Sequence, residues 1–151
     1  MKKYFALTAV AALALTGCVT TDMRMGAPEA KTVQMLQDEI NAAGGIDGKN
    51  IEVIIKDSAG KPENAISFAK QLIDENKVFA IIGPSTSGES MKIKSICDDA
   101  KVILVSCAAA ESIVNPISKY VFKTPQKDSD AAQMILNLMK KKGITKIGVV
   151  S

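Results

Sequence analysis

Three hydroxyl side chains stand in a row, Ser85, Thr86 and Ser87, framed by Gly83-Pro84 and Gly88. They follow an apolar run, Val78-Phe79-Ala80-Ile81-Ile82, and precede an amphipathic segment from Met91 to Ala100. A strand that ends in a hydroxyl-rich turn and opens a helix gathers hydroxyls and free backbone N–H groups at a positive helix end. The chemistry this allows is recognition of a small anion, a carboxylate or a phosphate. The same residue types also make ordinary helix caps, and the Thr86-x-x-Glu89 spacing fits a capping box.

Catalytic alternatives are sparse. The 151 residues include no histidine, which removes Ser-His-Asp and Cys-His catalysis and most zinc sites. No serine of the loop has glycine at both −2 and +2, as a nucleophile elbow requires. Asp98 and Asp99 are adjacent on a helix and cannot face one site together. Asp57, at a strand end, reads as a turn or cap residue. No enzyme, cofactor, metal or nucleic-acid partner is expected.

The elements around the loop alternate in type. Val33, Leu36, Ile40 and Ala43 mark one helix face, ended by Gly44-Gly45. Ile51 to Ile55 is a β-branched strand, Pro62 suits a first helical position, and Ala65, Phe68, Ala69, Leu72 and Ile73 form the next stripe. Val78 to Gly83 and Val102 to Val105 are continuous apolar strands, and Tyr120 to Phe122 reads as a short edge strand. Ala131, Ile135 and Leu138 mark a fourth helix, and Lys146 to Ser151 a last strand. Apolar strands separated by helices imply an α/β fold, a Rossmann-like parallel sheet with helices on both faces. In that layout Cys97, late in a helix, and Cys107, past the next strand, stand roughly 15 Å apart. A disulfide needs Cα atoms within about 7 Å, so both thiols are expected free and buried.

The chain opens with Met1-Lys2-Lys3, an apolar Tyr4 to Leu15, and Leu15-Thr16-Gly17-Cys18. A basic start, a short apolar core and a Leu-x-Gly-Cys end have the form of a bacterial lipoprotein leader. Residues 1–17 are then a signal peptide, Cys18 carries lipid, and residues 18–28 form a tether. Acyl chains hold a protein to a membrane by about 0.8 kcal/mol per buried CH₂, so the mature domain is expected lipid-anchored on an extracytoplasmic membrane face. Without the two leader lysines, the 19 basic residues fall to 17 against 16 acidic, a mature charge of about +1. That balance does not suggest nucleic-acid binding.

Five motifs in order carry a resemblance. Asp38-Glu39-Ile40-Asn41-Ala42-Ala43-Gly44-Gly45-Ile46 and Lys56-Asp57-Ser58-Ala59-Gly60-Lys61-Pro62-Glu63-Asn64-Ala65 come first. Ile81 to Ser87, Val105 to Ala110 and Val121-Phe122-Lys123-Thr124 follow. Together, over residues 26–151, they resemble type I periplasmic binding proteins, most closely the leucine/isoleucine/valine-binding proteins of ABC importers. The resemblance implies a small-molecule amino acid and ABC permease subunits as partners. It implies that the Ser87 hydroxyl and N–H hold a ligand α-carboxylate, with Ser85 and Thr86 beside it. It implies that the Ala108 carbonyl accepts from the ligand ammonium. Ala110 matches a position that often carries Thr, so only its N–H contact is expected to remain.

Departures from the family shape further expectations. Family members begin the mature domain with a strand, and nothing between Val19 and Met25 replaces it. That strand is interior in the order 2-1-3-4-5, so its loss is expected to leave backbone groups unpaired or to force Ile51–Ile55 against Val78–Ile82. The family's second lobe supplies an aromatic wall and a carboxylate for the ligand, and the chain reaches Ser151 just where the family passes into it. Residues 29–151 are therefore expected to be an incomplete N-terminal lobe, a fragment, with weak or absent binding alone. The competing expectation is a non-transport sensor or envelope-protein interaction module on the same fold.

Overall fold

The computed structural model describes residues 10–14 and 26–148, with side chains from residue 26 onward. Among these residues the principal elements are β1 Val10–Ala14, α1 Ala27–Ala42, β2 Glu52–Lys56, α2 Pro62–Asp74, β3 Ala80–Ile82, α3 Ser87–Ala100, β4 Ile103–Ser106, β5 Val121–Lys123 and α4 Asp128–Lys141, with a 3-10 turn at Glu111–Ile113 before β5. The five strands form one parallel sheet in the order β2-β1-β3-β4-β5. With right-handed crossovers, the reversal after β2 puts α1 on one face and α2 and α3 on the other. The core follows, with Leu72, Ile81, Ile93, Leu104 and Ile113 fully buried among Ala65, Ala69, Cys97 and Val121.

β1 overturns the expectation of a missing strand. Val10–Ala14 comes from the apolar core of the expected leader and lies between β2 and β3. Ala12 is in register with Ile54 on one side and Ile81 on the other. β2 and β3 are thus one strand apart. The physical reason is that an interior parallel strand is a continuous apolar run, and so is the core of an export leader. The other leader residues, Cys18 and most of the tether lie outside the described residues.

The first helix also begins earlier than expected. Ala27 and Pro28, read as tether, belong to the first turn of α1, where the missing N–H of proline is tolerated. Its other end is the Gly44-Gly45 stop: Gly45 N–H donates to Ile40 O at 2.8 Å. At φ +75°, a Cβ on Gly45 would come within 2.0 Å of Lys49 O, so only glycine fits. From the helix body, Asn41 clamps the edge strand's start. Its Oδ1 accepts from Ile51 N at 2.8 Å and its Nδ2 donates to Ile51 O at 2.9 Å. Gln37 Oε1 accepts from Val53 N at 2.6 Å, so side chains cover amides that an edge strand otherwise exposes.

Past α4 the expected strand is not found: residues 144–148 are not paired into the sheet, and 149–151 lie outside the described residues. α4 itself buries no residue.

Candidate carboxylate-binding site

In open parallel sheets, ligands bind outside the carboxyl ends of strands, where the strand order reverses. Here that crevice lies beyond β1 and β3, and the hydroxyl loop follows β3 directly. The loop is fixed from both sides. Gly83 N–H donates to Val105 O at 2.8 Å, and Cys107 N–H donates to Pro84 O at 3.1 Å, binding the loops after β3 and β4 together. Beneath them the buried Ser90 and Ser106 hydroxyls lie 2.7 Å apart, and Ser106 Oγ accepts from Ala108 N at 3.1 Å.

The three hydroxyls have different surroundings. Thr86 is the N-cap of α3, with extended backbone, and its Oγ1 accepts from Glu89 N at 3.4 Å. Its hydroxyl donates to the Glu89 carboxylate, which also accepts from the Ser58 hydroxyl across 31 residues of sequence. The capping box therefore forms with a twist: the carboxylate bonds the cap hydroxyl and Ser58, and Glu89 is only 1% exposed. Ser85 Oγ donates to Glu29 Oε2 at 2.6 Å, tying the loop to the first turn of α1. Ser87 Oγ accepts from Ala110 N at 3.3 Å.

Ser87 and Ala110 are thus brought together, with Ala108 buried close by in the same β4 loop. The Ala110 N–H, expected to reach a ligand, here donates to Ser87. Of the first four N–H groups of α3, Glu89 and Ser90 use Thr86 oxygens as acceptors. Among the described residues, the N–H groups of Ser87 and Gly88 donate to none. A Cβ placed on Gly88 would meet nothing within 4 Å, so there is open space beside the start of the helix. Their arrangement can hold a carboxylate: two N–H donors and a hydroxyl at a helix N-terminus.

Charged neighbours bias the rim. Lys123 Nζ donates to Ala109 O and to Gln126 O, placing a cation beside the β4 loop. Glu29, which accepts from Ser85, is also near Cys107. Burial pushes the Cys107 thiol up, and Glu29 adds to this, while hydrogen bonds from Thr124 and Gly83 oppose it. Cys97 is buried and free; Cys107 is free but only half-buried, a correction to the expectation that both are buried. Sequence reasoning missed Glu29, Ser58 and Lys123 as loop supports. The Asp57-Ser58 strand end was the one available signal, because loops at the carboxyl ends of one parallel sheet share one rim.

The sequence profile of a periplasmic binding protein family matches residues 13–151. The "Leu/Ile/Val-binding protein homolog 7" of Brucella suis is 28% identical over 161 aligned positions, covering 97% of this chain and 40% of that protein. Among solved structures, the branched-chain amino acid transporter substrate-binding protein LivJ of Streptococcus pneumoniae, in complex with isoleucine, superposes with a TM-score of 0.80 at 33% identity. It covers 89% of this chain and 38% of that one. A solute-binding protein of an ABC transporter from Rhodopseudomonas palustris, in complex with 3,4-dihydroxybenzoic acid, gives 0.74 at 28% identity, covering 91% and 37%. The chain spans about two fifths of the length of these relatives. With the sheet order, the placement of the hydroxyl loop and the matched profile in agreement, this chain belongs to the type I periplasmic binding protein family.

Proposed function

We propose that the chain is the carboxylate-holding part of an ABC-importer substrate-binding protein for branched-chain or related amino acids. The observation that carries this is the pair of undonated N–H groups, Ser87 and Gly88, beside the Ser87 hydroxyl at the crevice. In this reading Ser87 holds the α-carboxylate, Ala110 lends its N–H, and the Ala108 carbonyl accepts from the α-ammonium. Ser85 and Thr86 brace the loop through Glu29 and Glu89. The ligands of two relatives support it. Isoleucine and 3,4-dihydroxybenzoic acid differ in their side groups and share a carboxylate. Cys18 would tether the protein by lipid to an extracytoplasmic membrane face, where permease subunits would receive the solute.

Calorimetric titration with leucine, isoleucine and valine tests the reading. Two proteins are compared: this chain, and the chain joined to a second lobe taken from a relative. Binding by the two-lobed protein, with little or no heat from this chain alone, is the expected result. No binding by either protein sinks the amino-acid assignment.

A further inference from the structure

The geometry points to a strand-acceptor slot between β2 and β3 whose occupant is the chain's own segment Val10–Ala14, so that leader removal at Cys18 and completion of the sheet exclude one another. The inference rests on reading Cys18 as the processing site, so the lipid-anchored form proposed above would be the one that lacks β1. It does not depend on which solute is bound.

Every residue of β2 pairs with β1, from Val10↔Glu52 to Ala14↔Lys56, and every residue of β3 pairs with it as well, from Ala11↔Ala80 to Leu13↔Ile82. Among the described residues β2 has no other strand neighbour. Cutting the chain before Cys18 would therefore remove the strand that, among the described residues, joins β2 to the sheet.

The two walls of the slot would not simply close. α2 and α3 pack on one another through the same core, in which Ala65, Ala69 and Leu72 meet Ile93 and Cys97. At the carboxyl ends, the Ser58–Glu89 hydrogen bond runs from the residues after β2 to those after β3, spanning the end of the slot. Both ties fix β2 and β3 at two strand spacings, about 9.5 Å, rather than the roughly 4.8 Å of paired neighbours. Such a gap presents backbone donors and acceptors on both walls and fits one extended segment running parallel to each. The sequence Val-Ala-Ala-Leu-Ala supplies it: apolar throughout and without glycine or proline.

The test compares three proteins: the full chain, the same chain carrying Ala12→Pro, and the chain starting at Cys18. Hydrogen exchange of the β2 and β3 amides and thermal melting are followed. A synthetic peptide of residues 8–16 with added terminal lysines is then supplied in trans. Proline removes a ladder donor from the strand interior but leaves a leader's apolar character largely intact. The expected result is fast exchange in β2 and a melting temperature lower by more than about 10 °C for both altered proteins. The peptide should restore protection to the shortened chain, and its Ala12→Pro form should not. The inference is overturned if the shortened chain melts like the full one, or if Ala12→Pro changes nothing. It is also overturned if the full chain exchanges β2 as fast as the shortened one, or if the two peptides act alike. None of these readouts uses a solute, so the amino-acid reading stands or falls separately.

Discussion

The unit β3–α3–β4 and the helix α4 are built from similar patterns and end in opposite situations. Both helices have fourteen residues and apolar positions at helical spacing. α3 buries Glu89, Ser90, Ile93 and Cys97, and its Asp98 Oδ1 accepts from Tyr120 N at 2.9 Å. α4 buries none, and leaves Met134 72%, Ile135 60% and Leu138 54% exposed. Its ties are at its start, where Asp128 N–H donates to Ala109 O at 3.2 Å and Ser129 Oγ donates to Glu111 at 3.0 Å. Amphipathic spacing says that a face needs cover; it does not say what covers it. The hydroxyl loop sits at the start of the covered helix, so its shape is over-determined by packing. The apolar face of α4 is a contiguous exposed patch of the kind that marks an interface.

Core truncation should separate the two regions most. Ile93→Ala should cost about 2–5 kcal/mol in urea unfolding, because a fully buried side chain leaves a cavity. Ile135→Ala on α4 should stay within about 0.5 kcal/mol. Equal losses would erase the distinction between the helices.

Next in size is the buried carboxylate of the loop. Glu89→Ala withdraws an acceptor from Thr86 and Ser58 and should cost about 1–3 kcal/mol. Thr86→Ala, which loses the cap, should cost about 1 kcal/mol. If both variants melt as the parent does, packing alone holds the loop.

A pH series sharpens the same contrast. Burial pushes the Cys97 thiol up to about 12 from its ordinary 9.0. A raised folded value means stability fully present below about pH 9 and lost as pH rises toward 12. Unfolding midpoints for the parent should therefore fall more steeply over that window than those of Cys97→Ala. Parallel curves would place Cys97 in solvent. The smallest effect belongs to the α4 end. A hydrogen bond and the charge of Lys127, with help from Ser129, hold the Glu111 carboxyl below its ordinary range. Any stability it adds is present above that range and fades as pH falls through the lowered value. Both partners are exposed, so Lys127→Ala should barely move the melting temperature, and a large shift would show α4 more firmly seated than it is.

Much of the fold was legible because strand and helix periods differ. The α2 stripe, the edge strand before Thr124 and the order of the elements followed from spacing. β1 was not legible, because a continuous apolar run serves a leader and an interior strand equally. The strand expected after Lys146 did not form within the described residues, since a β-prone run still needs a neighbour to pair with. In the site, the Ser87 loop and the cap at Thr86 were readable from local sequence. The Glu29–Ser85 and Ser58–Glu89 bonds were not, because each joins residues far apart in the chain with no local pattern to mark them.

The central claim is that the start of α3 seats a carboxylate. Amide NMR of the full chain, titrated to millimolar levels with isoleucine and separately with isoleucinamide, tests it most directly. The account predicts that the Ser87, Gly88 and Ala110 amides move with isoleucine, that isoleucinamide leaves them in place, and that Ser87→Ala weakens the response. Equal movement with both compounds, or no movement of these amides with isoleucine, would contradict it.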